Sequence, residues 1–262
     1  MNRTGLLIAL VIAVATGLVF SLAPQLDIAI SRLVFDSKIG AFYLAVLVFY
    51  QGHGWVEQVR DAAMWVVGLL ALAPAAAVII KLVRPNRPLL VSGRAGLLLL
   101  GTLALGPGLL TNVVLKEHWA RPRPIDLRDF GGTDDFVPWW DPRGSCEKNC
   151  SFVAGEGSGA FWTLAPAALA PPAMRPIAYA GALAFGAAVG AMRIAAGAHF
   201  FTDVVFGGVF TFLIIWIAHG VLYRWAMLPR FDAAIERTLE RIALPLHLMF
   251  GRLAQRGSGS RP

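Results

Sequence analysis

Charge is what this sequence has least of: 15% of its 262 residues are Asp, Glu, Lys or Arg, against 57% that are hydrophobic. A chain of this size with so little polar surface cannot clothe a water-soluble globule, so lipid is the expected solvent. Cysteine is almost absent. Cys146 and Cys150, the only two, can join as a local disulfide in an oxidising compartment or stay as two loop thiols, and they are too few to build a zinc site. The formal charge of +7 comes without a basic face interleaved with aromatics, which argues against a nucleic-acid partner; an excess of cations on the cytoplasmic side of a membrane accounts for it instead. No internal repeat and no separate soluble domain is found.

Long apolar runs are abundant. They cover about 5–23, 62–80, 95–115, 152–170, 177–192 and 202–222, each near the length that crosses a bilayer core as a helix. The first is expected to be a retained anchor rather than a cleaved signal peptide, because its apolar core is too long and Pro24 follows directly. The run 41–50 is too short to cross and, with Asp27, Arg32, Asp36 and Lys38 around it, is expected to lie near the interface. The fold class is therefore all-α: a polytopic six-transmembrane-helix bundle over 1–228, with its catalytic core at about 62–222. A basic amphipathic tail occupies 229–262, where Phe231, Ile235, Leu239, Ile242 and Leu246 recur at helical spacing and Pro245 is expected to break the helix. The last Gly-Ser-Gly-Ser is expected to be disordered.

Cations set the orientation. Lys81, Arg84, Arg87 and Arg94 follow the second run, and Arg224, Arg230, Arg237, Arg241, Arg252, Arg256 and Arg261 follow the sixth. Placing these inside puts both termini in the cytoplasm of a bacterial inner membrane and the segments 24–61, 116–151 and 193–201 on the periplasmic face.

Three polar clusters then meet at that outer face. They are Lys116, Arg121 and Arg123; the glycine-rich stretch from Ser151 to Gly159; and Arg193, His199 and Asp203. Ionisable residues at the edge of a span are costly and mark function. Lys116, Arg123 and Arg193 supply charge and forked donors for phosphate oxygens, while the start of the fourth run, with Gly155, supplies free backbone N–H groups. His199 and Asp203, four apart, share a helix face, so the carboxylate can hold one ring nitrogen protonated while the other attacks phosphorus.

These residues resemble the type 2 phosphatidic acid phosphatase family, whose three blocks are Lys-x6-Arg-Pro, Pro-Ser-Gly-His and Ser-Arg-x5-His-x3-Asp. Lys116, Arg123 and Pro124 match the first block, and Arg193, His199 and Asp203 match the third. The resemblance implies a metal-independent phosphatase without cofactor, in which Lys116, Arg123 and Arg193 bind phosphate, His199 forms a phosphoenzyme and Asp203 orients it. Two departures from the pattern matter. Met192 replaces the serine before Arg193, and the second block reads Val153, Ala154, Gly155 and Glu156, so the phosphate-contacting serine is missing and Glu156 stands where the family has its proton-donating histidine.

Glu156 is a poor acid at neutral pH unless burial raises its pKa against the nearby cations. His118 is an alternative proton donor, and Ser158 either replaces the lost hydroxyl or packs. If the cations prevail, leaving groups that need little protonation, glycosyl phosphates or diphosphates, are preferred. The expected function is hydrolysis of a lipid-linked phosphate: lipid A phosphate, undecaprenyl diphosphate or phosphatidylglycerol phosphate. Phosphotransfer at the same site and a non-catalytic lipid-phosphate-binding descendant are the alternatives. The expected partners are the lipid substrate and the bilayer, with no obligate protein partner. Small residues at Ala182, Gly186 and Gly190 are expected to pack helices closely. Trp119, Trp139, Trp140 and Trp162 are expected at the outer boundary.

Overall fold

The computed structural model describes residues 1–49, 54–225 and 231–258. Of the Gly-Ser-Gly-Ser expected to be disordered, Gly257 and Ser258 belong to the last helix, and Gly259 and Ser260 lie outside the described residues, as does His53. The chain is mostly helical. Helix α1 (Arg3–Leu22), α2 (Gln25–Arg32), a two-residue hairpin β1 (Phe35–Asp36) and β2 (Ala41–Phe42), and α3 (Tyr43–Phe49) precede the long α4 (Trp55–Val83). Helix α5 (Gly93–Leu103) runs on through a widened π segment (Ala104–Leu115) into the single turn α6 (Lys116–His118). After a long loop come α7 (Gly155–Phe161), α8 (Leu164–Leu169), α9 (Arg175–Ala195), α10 (Phe201–His219) and α11 (Phe231–Ser258).

Among the described residues five helices, rather than the six expected, are long and apolar enough to cross a membrane: Arg3–Leu22, Trp55–Val83, Gly93–His118, Arg175–Ala195 and Phe201–Arg224. The expected fourth span is instead the pair α7 and α8, of seven and six residues, each only about 10 Å long at helical rise. The pair packs against α4, α5, α9 and α10. Ala160, Trp162, Leu164, Ala165 and Ala168 are buried, whereas the five long helices leave most residues of their apolar stretches short of burial. Hydropathy cannot separate a helix wrapped in protein from one wrapped in lipid; both are apolar. Trp162 shares this fate. It sits inside the bundle, its indole N–H within hydrogen-bonding distance of the Leu99 carbonyl and the Thr102 hydroxyl.

Helix α9 packs as its small residues predicted, with Gly186 against Phe161 and Gly190 against Val204. The tail is not a free charged segment. Helix α11 docks on α4 and α5: Glu236 and Glu240 accept from Lys81 Nζ at 3.0 and 2.6 Å, and Asp232 accepts from the Arg94 side chain and backbone. Pro245 does not end it, since the helix continues to Ser258. A proline removes one backbone donor and is tolerated where the turns on either side persist.

Candidate active site

The ends of α4, α5, α7, α9 and α10 that face away from α11 carry the ionisable residues. Two local devices deliver His199. Helix α9 ends in a left-handed Gly197 (φ 69°), where a Cβ would strike Phe42, and Ala198 N–H returns to the Arg193 carbonyl at 3.0 Å. This is the usual glycine-terminated helix stop. Helix α10 then begins with Asp203 in its first turn, accepting the Phe200 N–H at 2.8 Å, as an acid at that helix position does. His199 is thereby fixed between two helix ends.

The imidazole is buried, and its Nδ1 lies 2.8 Å from the Ser151 carbonyl oxygen. A carbonyl only accepts, so Nδ1 carries the proton and Nε2 keeps its lone pair. Burial pushes the His199 pKa below its ordinary value, although Asp203 pulls the other way. The sequence assigned the tautomer to Asp203. Its Oδ2 is 3.8 Å from Nδ1, so the carboxylate acts on the ring by charge while the Ser151 main chain makes the shorter bond.

Asp203 is occupied elsewhere. Oδ2 accepts from Ser151 Oγ at 2.5 Å, and Oδ1 accepts from Arg121 Nη1 at 2.6 Å. Arg121, wholly enclosed, also donates to Asp27 Oδ2 at 2.8 Å, to Thr202 Oγ1 at 2.8 Å and to the Val137 carbonyl at 2.9 Å, and its guanidinium carbon stacks 4.1 Å from the centroid of Phe200. Asp27 completes the cluster by accepting from Thr202 N–H and Oγ1. Sequence reasoning placed Arg121 in one polar cluster with Lys116 and Arg123, without a role of its own, and Asp27 near the interface. Both are instead interior supports of Asp203.

Around this core lie the proposed phosphate ligands. Gly155 opens α7 against the π segment: a Cβ there would lie 2.8 Å from Asn112 Oδ1, which would have to give way, and in ordinary contact at 3.6 Å from Lys116 Nζ. Glycine thus lets the α7 N-terminus pack closely beside Asn112 and Lys116. Arg123 donates to the Asn149 carbonyl at 2.7 Å. Arg193 Nε is buried without a hydrogen-bond partner among the described residues, a state that an incoming anion would relieve.

Glu156 departs most from expectation. Arg60 of α4, which the sequence did not single out, grips it through Nε and Nη2 at 2.7–3.1 Å, and Arg193 Nε stands 3.5 Å away. Glu156 accepts from a fork of guanidinium donors, the arrangement of a carboxylate rather than a proton-bearing acid. His118 is exposed and engages the Val114 carbonyl of its own helix. Ser158 is buried against Thr111, which fits packing. Cys146 and Cys150 form a disulfide in the loop that carries Asn149. No group of three or more His, Cys, Asp or Glu suited to a metal ion occurs among the described residues.

A cavity of about 330 Å³ adjoins the cluster. It shares Arg123 and Arg193 with the phosphate ligands, adds Arg60 and Glu57, and is otherwise walled by apolar side chains, Met192 among them.

Comparison with known proteins agrees with this constellation. The chain is 42% identical over 123 residues to the lipid A 4'-phosphatase of Francisella tularensis subsp. novicida (strain U112), a match covering 47% of this chain and 55% of that one. It is 46% identical over 108 residues to the lipid A 4'-phosphatase of Rhizobium leguminosarum, covering 41% and 46%. The chain thus spans about half the length of the curated relatives it matches. No solved structure matches it significantly. The PAP2 superfamily matches residues 95–227, half of the chain and all three polar blocks, and the chain belongs to that superfamily.

Proposed function

We propose that this protein is an integral membrane phosphatase that hydrolyses a lipid-linked sugar phosphate, a lipid A phosphate first, by way of a phosphohistidine. The observation that carries the reading is the convergence of a neutral His199, its Nδ1 committed to Ser151, with Lys116, Arg123 and Arg193 at one end of the bundle. The cations hold the phosphate oxygens. His199 Nε2 attacks phosphorus and the bond to the lipid oxygen breaks. Water then attacks the phosphohistidine, releasing inorganic phosphate and returning the imidazole to its neutral form. Asp203 offsets the positive charge that His199 carries in between.

Proton supply to the leaving oxygen does not come from Glu156 while Arg60 and Arg193 hold it as a carboxylate. That favours leaving groups needing little help, and water at the cavity serves the rest. The relatives are lipid A 4'-phosphatases, which supports lipid A phosphate, the first of the expected substrates, over a diphosphate.

The site is assigned to the periplasmic face of an inner membrane and the docked α11 to the cytoplasm. Support comes from the cations gathered at the α11 end and from the disulfide in the opposite loop. Incubating detergent-purified protein with lipid A, undecaprenyl diphosphate and phosphatidic acid, and scoring released against transferred phosphate, tests the chemistry. Release from lipid A foremost is expected; transfer to a second lipid without release, or release only from phosphatidic acid, overturns the reading. Sidedness is tested by a cysteine at Phe130 or Pro85 after replacing Cys146 and Cys150. An impermeant thiol reagent on intact cells should label only the first, and labelling of the second alone inverts the orientation.

A further inference from the structure

Two of the positions at which this chain departs from its family pattern, Met192 and Glu156, meet at one place. Met192 lines the cavity beside Arg193, and Glu156 bridges Arg193 to Arg60. Arg60 lies outside the superfamily-matched residues 95–227 and belongs to none of the three blocks, yet it reaches the same chamber from α4.

The geometry of Arg60 is that of a prepared donor. Nε and Nη2 are fixed by both oxygens of Glu156, and Nη1 has no partner among the described residues. The side chain is 44% exposed and borders the cavity. A guanidinium held along one edge by a carboxylate has lost little remaining freedom to pay on binding, so its open edge binds an oxygen efficiently. The cavity shares Arg123 and Arg193 with the phosphate ligands but is not lined by His199, Lys116 or Gly155. It is therefore the room beside the scissile phosphate, where the group bearing that phosphate must sit. At about 330 Å³ it falls near the lower end of ligand pockets, about 300–1,000 Å³. That suits a single sugar ring better than the body of a lipid.

We propose that Arg60, braced by Glu156, is a specificity-determining residue that binds a ring or substituent oxygen of a hexosamine phosphate on the leaving-group side of the site. The inference rests on the sugar-phosphate reading above and names the residue that makes the selection. Met192 supplies an apolar floor against the ring where the family pattern has a hydroxyl, and Glu156 acts as a positioning residue through Arg60. An alkyl phosphate offers Arg60 no such oxygen.

The test reads binding without turnover. Affinities of the protein in detergent for a water-soluble glucosamine phosphate and for inorganic phosphate are measured by titration calorimetry, in wild type, Arg60→Ala, Arg60→Lys and Glu156→Gln, each also carrying His199→Ala so that nothing is hydrolysed. In wild type the sugar phosphate is expected to bind more tightly than phosphate. Arg60→Ala should reduce the ratio of the two affinities about tenfold, the worth of one charge-assisted hydrogen bond; Arg60→Lys should restore part of it, and Glu156→Gln should reduce it to an intermediate value. A ratio unchanged in Arg60→Ala, or no preference for the sugar in wild type, overturns the inference. Should Arg60→Ala fail to fold, Arg60→Lys alone decides, because it keeps the charge and loses the fork. Failure of lipid A to release phosphate in the separate turnover assay would strike the proposed reaction and leave this ratio still readable.

Discussion

Arg121 and Lys81 are both enclosed cations, near opposite ends of the same bundle, yet their surroundings differ. Arg121 meets two carboxylates, Asp27 and Asp203, that are as buried as itself. The carboxylates facing Lys81, Glu236 and Glu240, are about a third exposed. Enclosing an ion pair on both sides carries a desolvation cost that attraction only repays when every donor is matched. At the site end each of the three Arg121 nitrogens has a partner. The contrast teaches that burial of a charge is not one kind of evidence: Lys81 fastens a helix, whereas Arg121 fixes the carboxylate beside the nucleophile.

The comparison breaks first if the nucleophile is elsewhere. His199→Ala should lower phosphate release about 10⁴-fold or more while the protein remains membrane-inserted, and an acid-labile labelled phosphoenzyme should be lost with it. Turnover near wild type would remove the meaning given to the Arg121 end.

Next comes Arg121→Lys, which keeps the charge but cannot reach Asp27, Asp203, Thr202 and Val137 together. Misplacing Asp203 by about an ångström should lower kcat/KM roughly 10²-fold. The loss should fall mainly on kcat, since no contact to substrate is removed.

A milder effect follows from His199 itself. Its pKa lies below the ordinary value, and the nucleophile is the neutral form, so activity is retained as pH falls until that lowered value is reached. A histidine at its ordinary pKa of about 6.5 would lose about three quarters of its neutral form at pH 6. Here kcat/KM at pH 6 should stay within about twofold of that at pH 7, measured with a substrate whose own titration is corrected for.

Lys81→Met sharpens the contrast from the other end. With partners already part-hydrated, its loss should cost about 1–3 kcal/mol of stability, read by denaturant titration in detergent, and leave kcat/KM within about twofold. The smallest change is expected for Cys146→Ser with Cys150→Ser. The disulfide spans a sequence separation of only four, and closing so short a loop is worth about 2 kcal/mol or less.

What could be read from the sequence followed the range of its patterns. Lys116 to Arg123 and Arg193 to Asp203 are short spacings, each visible as a string, and the structure brings the two strings to one end of the bundle. Arg60 with Glu156, and Asp27 with Arg121, pair residues 96 and 94 apart. No period or motif links such positions, and only the packing of α4 and α2 against the family core joins them. The fourth run misled for a different reason. Its composition reported correctly that it avoids water, but not whether protein or lipid does the shielding. Pro245 misled because a missing donor is a local penalty, which the rest of α11 outweighs.

The break between α7 and α8 at Trp162 and Thr163 bears on how the chain is made. Thr163 turns its hydroxyl back to the Ala160 carbonyl, and the Trp162 indole reaches across to α5, so the polar groups of the break are answered from within the protein. The backbone N–H groups of the break are bonded within the segment, but a hydrocarbon environment would leave the Trp162 indole N–H without its partners Leu99 and Thr102. This segment is therefore ill suited to wait alone in the bilayer during synthesis. It has to be received by α4 and α5, which precede it, and sealed by α9 and α10, which follow. The catalytic end, anchored on Gly155 at the head of α7 and on Asp203 at the head of α10, assembles only after the last of these helices has been released from the ribosome.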